Sequence, residues 1–201
     1  MKKRAICGIM RTRIKEDDVA ITFNLNAKKA IEAIVYLANK KPAMTQYFFM
    51  KMMFYADKFH INKYGTPVIG DRYIKMANGP VPSFVLDAIH MDGSKLTHDD
   101  YKEIEKSFSF RTWGKKIYTT AKRKADMDYF SDTDIECLNA AFDFCKNKTF
   151  GELKDLTHDE PSWKNAIDNR QMDYALFVDE NNPDKQAIIA DLSDNFGSLV
   201  L

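Results

Sequence analysis

Cysteine is scarce in this sequence: three occur in 201 residues, at positions 7, 137 and 145, and no Cys-x-x-Cys pair exists. Cys137 and Cys145 stand in one helix-like stretch, about 12 Å apart along a helix axis. That is beyond disulfide reach, so the thiols read as reduced and the protein as cytoplasmic. A membrane span needs about 18 consecutive apolar residues, and no such run occurs. The basic start at Lys2, Lys3 and Arg4 precedes an apolar run, Ala5 to Met10, that stops at Arg11. A secretory signal needs roughly 7–15 apolar residues, so this start is not read as one. An excess of one charge is missing too: 30 Lys and Arg face 29 Asp and Glu, for a net charge of +1. Such a molecule has no global electrostatic reason to coat nucleic acid or an anionic membrane. The glycine-rich phosphate loops, the G-x-S-x-G elbow and the H-E-x-x-H zinc motif are all absent. Neither an enzyme nor a cofactor is expected.

What is present is a core. Hydrophobic residues make up 45% and aromatics 12%, enough for one domain at this length. Residues 1–24 read as a flexible polar leader, basic and then acidic. Residues 25–201 read as a single domain. Asn26 caps a first helix whose apolar residues Ala27, Ala30, Ile31, Ile34, Val35 and Ala38 recur at helical spacing up to Lys40-Lys41-Pro42. A second helix, from about Met44 to Tyr64, is apolar almost all round through Tyr47 to Ala56, the pattern of a central helix packed on several sides. Its methionines read as gap-fillers. Gly65-Thr66-Pro67 ends it.

Residues 68–76 read as extended, residues 78–82 as a turn, and Ser83 to Met91 as a short helix. Ser107 to Arg111 alternates and Lys116 to Thr120 is rich in strand formers, which predicts a hairpin around Trp113-Gly114. Ser131 and Asp134 form a partial capping box for a further helix carrying Ile135, Leu138, Phe142 and Cys145. Thr149 caps another, with Phe150, Leu153 and Leu156. Pro161 and Pro183 open two more. Residues 173–178 read as a strand or a buried extended segment. The fold class is α+β and mainly α-helical: a compact helical domain around a central apolar helix, with a small antiparallel β element.

Chemistry-bearing residues are few. Asp57 and His60 stand at i, i+3, with His158-Asp159-Glu160 far away in sequence, so a metal is not expected. His158 with Asp57, His60 or Asp71 would be the acid–base set of a hydrolase, if they converged. The densest segment is residues 70–83, which combines charged, aromatic and turn residues with two prolines. It reads equally well as a rigid corner or as a recognition surface, since Arg and Tyr are favoured anchors.

Three runs in order carry a resemblance: Met50-Lys51-Met52-Met53-Phe54-Tyr55-Ala56-Asp57, Tyr64-Gly65-Thr66-Pro67-Val68-Ile69-Gly70-Asp71-Arg72-Tyr73, and Asn78-Gly79-Pro80-Val81-Pro82-Ser83. With the later stretch Phe150-Gly151-Glu152-Leu153-x-x-Leu156-Thr157-His158-Asp159-Glu160-Pro161-Ser162-Trp163, they resemble the SocA-like (Panacea) antitoxin domain over roughly residues 27–170. The resemblance implies a phage-associated toxin–antitoxin system, in which this chain neutralises a cognate protein toxin, encoded nearby, by direct binding. A second implied role is a proteolytic adaptor that delivers a partner to a protease. For that role the apolar end, residues 197–201, would be a recognition tail. About 25 residues precede the first helix, too few for a helix-turn-helix, so nucleic acid is not the expected partner. The resemblance marks Asp71, Arg72, Tyr73, Asn78, Gly79, Pro80, His158 and Trp163 as a candidate partner-binding or fold-defining cluster.

Overall fold

The computed structural model describes residues 21–92 and 96–197. Cys7, most of the leader and the last four residues of the apolar tail lie outside the described residues. Where the description begins the chain is already packed. Ile21 is buried and its amide donates to Asp173, and Phe23 sets its ring edge-on against Tyr174.

Helix α1 (Ala27–Lys40) begins where expected: the Asn26 side chain accepts from the Lys29 amide. A two-residue strand β1 (Met44–Thr45) then leads into α2 (Gln46–Tyr64). Every residue of α2 from Phe49 to Lys58 is buried, because it is surrounded. Its main neighbour is α5 (Asp132–Cys145), with β3 (Gly79–Pro82), α3 (Ser83–His90), α6 (Phe150–Asp159) and α8 (Lys185–Gly197) on its other sides. The central-helix expectation holds, as does the mainly helical α+β class.

The β structure is two small antiparallel sheets. β2 (Tyr73–Met76) pairs with β3. β4 (Phe108–Trp113) and β5 (Lys116–Ala121) form the expected hairpin, and β1 adds to it in the order β1-β5-β4. Two expectations need correcting. Residues 79–82 are not a turn but strand β3, whose prolines Pro80 and Pro82 are tolerated because the ribbon has only two strands. Residues 174–177 form a buried 3₁₀ turn rather than a strand. Helix α4 (His98–Ser107) has no apolar stripe to announce it, and only Ile104 and Ser107 are buried. Its start is set by a Thr97/Asp100 capping box, the device that also starts α5 at Ser131/Asp134 and α6 at Thr149/Glu152. The five-residue α7 (Pro161–Asn165) follows at once, with Pro161 at its first position. Among the described residues no helix is long and apolar enough to cross a membrane. Cys137 and Cys145 are buried free thiols.

Asp57 of α2 ties these parts together. Its carboxyl accepts from the Ile69 amide at 2.9 Å and the Gly70 amide at 3.2 Å. The Tyr73 hydroxyl, at the start of β2, donates at 3.1 Å. The Tyr174 hydroxyl lies 3.3 Å away and donates to the Asp71 carbonyl at 2.7 Å. Three segments distant in sequence, α2, residues 69–73 and the turn at Tyr174, thus meet on one buried group. Asp57→Ala would strip partners from these donors and should cost about 3 kcal/mol or more. Urea unfolding of the variant checks this, with Asp57→Asn expected to fall between the variant and the native chain.

Candidate functional site

The two ends of the β2–β3 ribbon have different roles. At the open end, Asp71 caps α3, its two oxygens accepting from the Phe84 and Val85 amides at 3.0 Å each. Burial pushes its carboxyl up to about 6, against the lowering effect of those amides. Arg72 is exposed, and its guanidinium reaches the Ser83 hydroxyl at 3.3 Å. Tyr73 is 0% exposed. Asp71 and Tyr73 are therefore interior fastenings.

At the closed end the chain turns through Ala77 and Asn78, both exposed. The turn is set by Gly79, at φ 101°. A Cβ there would overlap the Thr157 hydroxyl and stand 2.7 Å from the Lys51 amine. Lys51, on α2, is 1% exposed and donates to the Pro80 carbonyl at 2.9 Å. Its amine lies 5.0 Å from the Tyr47 ring centre. Among the described residues no carboxylate pairs with it. Burial without a counter-charge pushes the amine down to about 7.

On the other flank of the turn, His158 stacks on Trp163 with ring centres 3.7 Å apart and planes 11° apart. Burial, with Lys154 and Lys51 nearby, holds the His158 ring below the usual histidine range. Trp163 donates to the Met76 carbonyl at 3.2 Å. The Lys75 amine lies 4.4 Å from the Trp163 ring centre and donates to the Ala166 carbonyl at 3.0 Å. Residues 169–172 run beside β2, bonding the Tyr73 and Lys75 backbone. Between the turn and α2 lies a recess of about 320 Å³, lined by Tyr47, Met50, Lys51, Met76, Asn78 and His90, among others.

Of the eight residues marked in the sequence, the structure gathers Asn78, Gly79, Pro80, His158 and Trp163 around the turn. It sets Asp71, Arg72 and Tyr73 at the far end of the ribbon. Lys51, Tyr47, Lys75 and Thr157 were not marked, although a lone lysine in the apolar stretch from Tyr47 to Ala56 was a visible signal for Lys51. The hydrolase set does not assemble. Asp57 and Asp71 bond backbone amides and tyrosines, while His60 bonds Thr66 and Thr133. Among the described residues no cluster of three His, Cys, Asp or Glu side chains is placed to hold a metal.

Two outcomes follow. Gly79→Ala meets both a steric overlap and a positive φ, and should cost about 2 kcal/mol or more in urea unfolding. Lys51 binds a proton more weakly when folded, about 7 against its ordinary 10.5. Its contribution to stability therefore rises with pH between roughly 7 and 10, by a few kcal/mol at most. Thermal melts across that window should show the native chain gaining on Lys51→Met as pH rises.

The family model for the SocA-like antitoxin, Panacea domain, matches residues 49–164. That span starts inside α2 and ends in α7, so it takes in Lys51, Asp57, the β2–β3 ribbon and the His158–Trp163 stack. No curated protein and no solved structure matches the chain. With more than half of its length matched, and with the matched residues forming one connected site, the chain belongs to the SocA-like antitoxin family and carries its Panacea domain.

Proposed function

We propose that the protein is a cytoplasmic antitoxin that neutralises a cognate protein toxin by direct binding, without catalysis, through the face around the β2–β3 turn. The observation that carries this reading is the division of the family's signature residues between interior and surface. Asp71, Tyr73, Gly79 and Pro80 are buried; the last three hold the ribbon on α2, and Asp71 fastens it to α3. Arg72 and Asn78 are exposed, and His158 and Trp163 are half-buried. Large apolar side chains lie open at the same end of the molecule, with Met76 39% and Ile167 73% exposed. A rigid turn beside a preformed recess gives a partner's side chain a place to insert at little ordering cost. Trp163, half-buried beside the turn, is of a residue type that anchors protein interfaces.

Co-expression of the tagged protein with the product of its neighbouring gene, alongside a growth-rescue assay, tests the reading. A stoichiometric complex that restores growth is expected. Met76→Asp and Asn78→Arg alter exposed positions, and each should weaken the complex tenfold or more with the melting temperature unchanged. A toxic neighbour that neither binds nor is rescued would overturn the antitoxin role. Full rescue by both variants would overturn the site.

A further inference from the structure

A second surface, on the other sheet, has the makings of a docking site. From Lys106 to Ala125 the sequence holds seven Lys and Arg and no Asp or Glu, in a chain whose net charge is only +1. Arg123 is held by Glu32 and Glu103, and Lys122 reaches the Glu105 carbonyl. Arg111, Lys115 and Lys116, at the free end of the β4–β5 hairpin, are exposed and form no ion pair among the described residues. Trp113, opposite Lys116 in the ladder, is 77% exposed. Alternation in β4 turns Phe108 inward, where it is 1% exposed, and sets Arg111 and Trp113 on the outer face. Cross-strand pairing adds Tyr118 and Thr120 to that face. Arg111, Trp113, Tyr118 and Thr120, with Ala43, line a recess of about 420 Å³.

β4 is also an edge: in the order β1-β5-β4, no described strand pairs with its outer side. The two-residue turn Gly114-Lys115, with Gly114 at φ 59°, makes Trp113 and Lys116 a hydrogen-bonded pair. By alternation, Phe110 and Thr112 then direct their backbone N–H and C=O groups to the open edge. We propose that this hairpin binds an extended acidic segment of a partner protein as an added strand beside β4, its carboxylates meeting Arg111, Lys115 and Lys116 and its apolar side chains packing on Trp113 and Tyr118. Single-stranded nucleic acid could use the charge and the aromatic face. Its phosphates could accept from the open amides but do not supply the alternating donors and acceptors of an added strand, and for that reason the peptide is the occupant assigned. This site is separate from the β2–β3 turn and does not depend on the antitoxin reading.

The test uses a fluorescein-labelled (Glu-Val)4 peptide, with (Lys-Val)4 and an eight-nucleotide oligothymidylate as comparators, read by anisotropy on the whole protein. Saturable binding of (Glu-Val)4, absent for (Lys-Val)4 and weakened by salt, is expected. Arg111→Glu with Lys116→Glu should weaken it at least tenfold. Thr112→Pro removes an edge donor without touching a ladder bond and should weaken it several-fold while the melting temperature holds. No saturable binding of (Glu-Val)4 overturns the proposal. So does binding that none of these changes affects. Tighter binding of the oligonucleotide, indifferent to Thr112→Pro, would also overturn it and reassign the surface to nucleic acid.

Discussion

The fold hangs on a carboxyl group that water does not reach. Asp57 lies in the middle of a helix buried on every side, and burial pushes its carboxyl up to about 7, against the hydrogen bonds that favour its charge. Such a group is stabilising only if its donors are all in place. Placing them fixes the loop after α2, the start of β2 and the 3₁₀ turn near residue 174 relative to one another. Each of those segments would otherwise be an irregular connection with little to define it. The aromatic cluster of Phe54, Tyr73, Tyr174 and Phe177 then closes around the same point.

Lys51 does for the closed end of the ribbon what Asp57 does for the open end. The two stand six residues apart on α2, about 240° around its axis at 100° per residue, so they serve different faces of one helix. The lysine donates to the Pro80 carbonyl. Only a glycine at position 79 lets the amine come that close. The signature read along the chain as lysine, aspartate, Gly-Pro and Thr-His is, in space, one set of contacts around α2. Those contacts hold the two strands that flank the exposed Ala77-Asn78 turn.

Much of this was legible in the sequence, for identifiable reasons. Helices α1 and α5 have an apolar stripe and a capping residue that agree, so their limits follow from the pattern. The β4–β5 hairpin was visible because alternation, strand formers and a glycine turn coincide. Helix α4 was not, because it buries almost nothing and its capping box alone defines it. Strand β3 was hidden by prolines that normally argue against a strand. The site was legible as a segment but not as a division of labour. Arg72 and Tyr73 are adjacent and both suit an interface, yet one faces solvent and the other is sealed against Asp57, a difference set by packing that sequence spacing does not carry.

Under the proposed function, the interior signature residues build a platform and the turn they hold makes the contact. Hydrogen exchange, read by mass spectrometry on the free protein and on its complex with the neighbouring gene product, tests it most directly. The account predicts that α2 is strongly protected in both states, and that binding adds protection at residues 74–79 and 158–167. Unchanged exchange in those two segments, in a complex that protects another part of the surface, would contradict it.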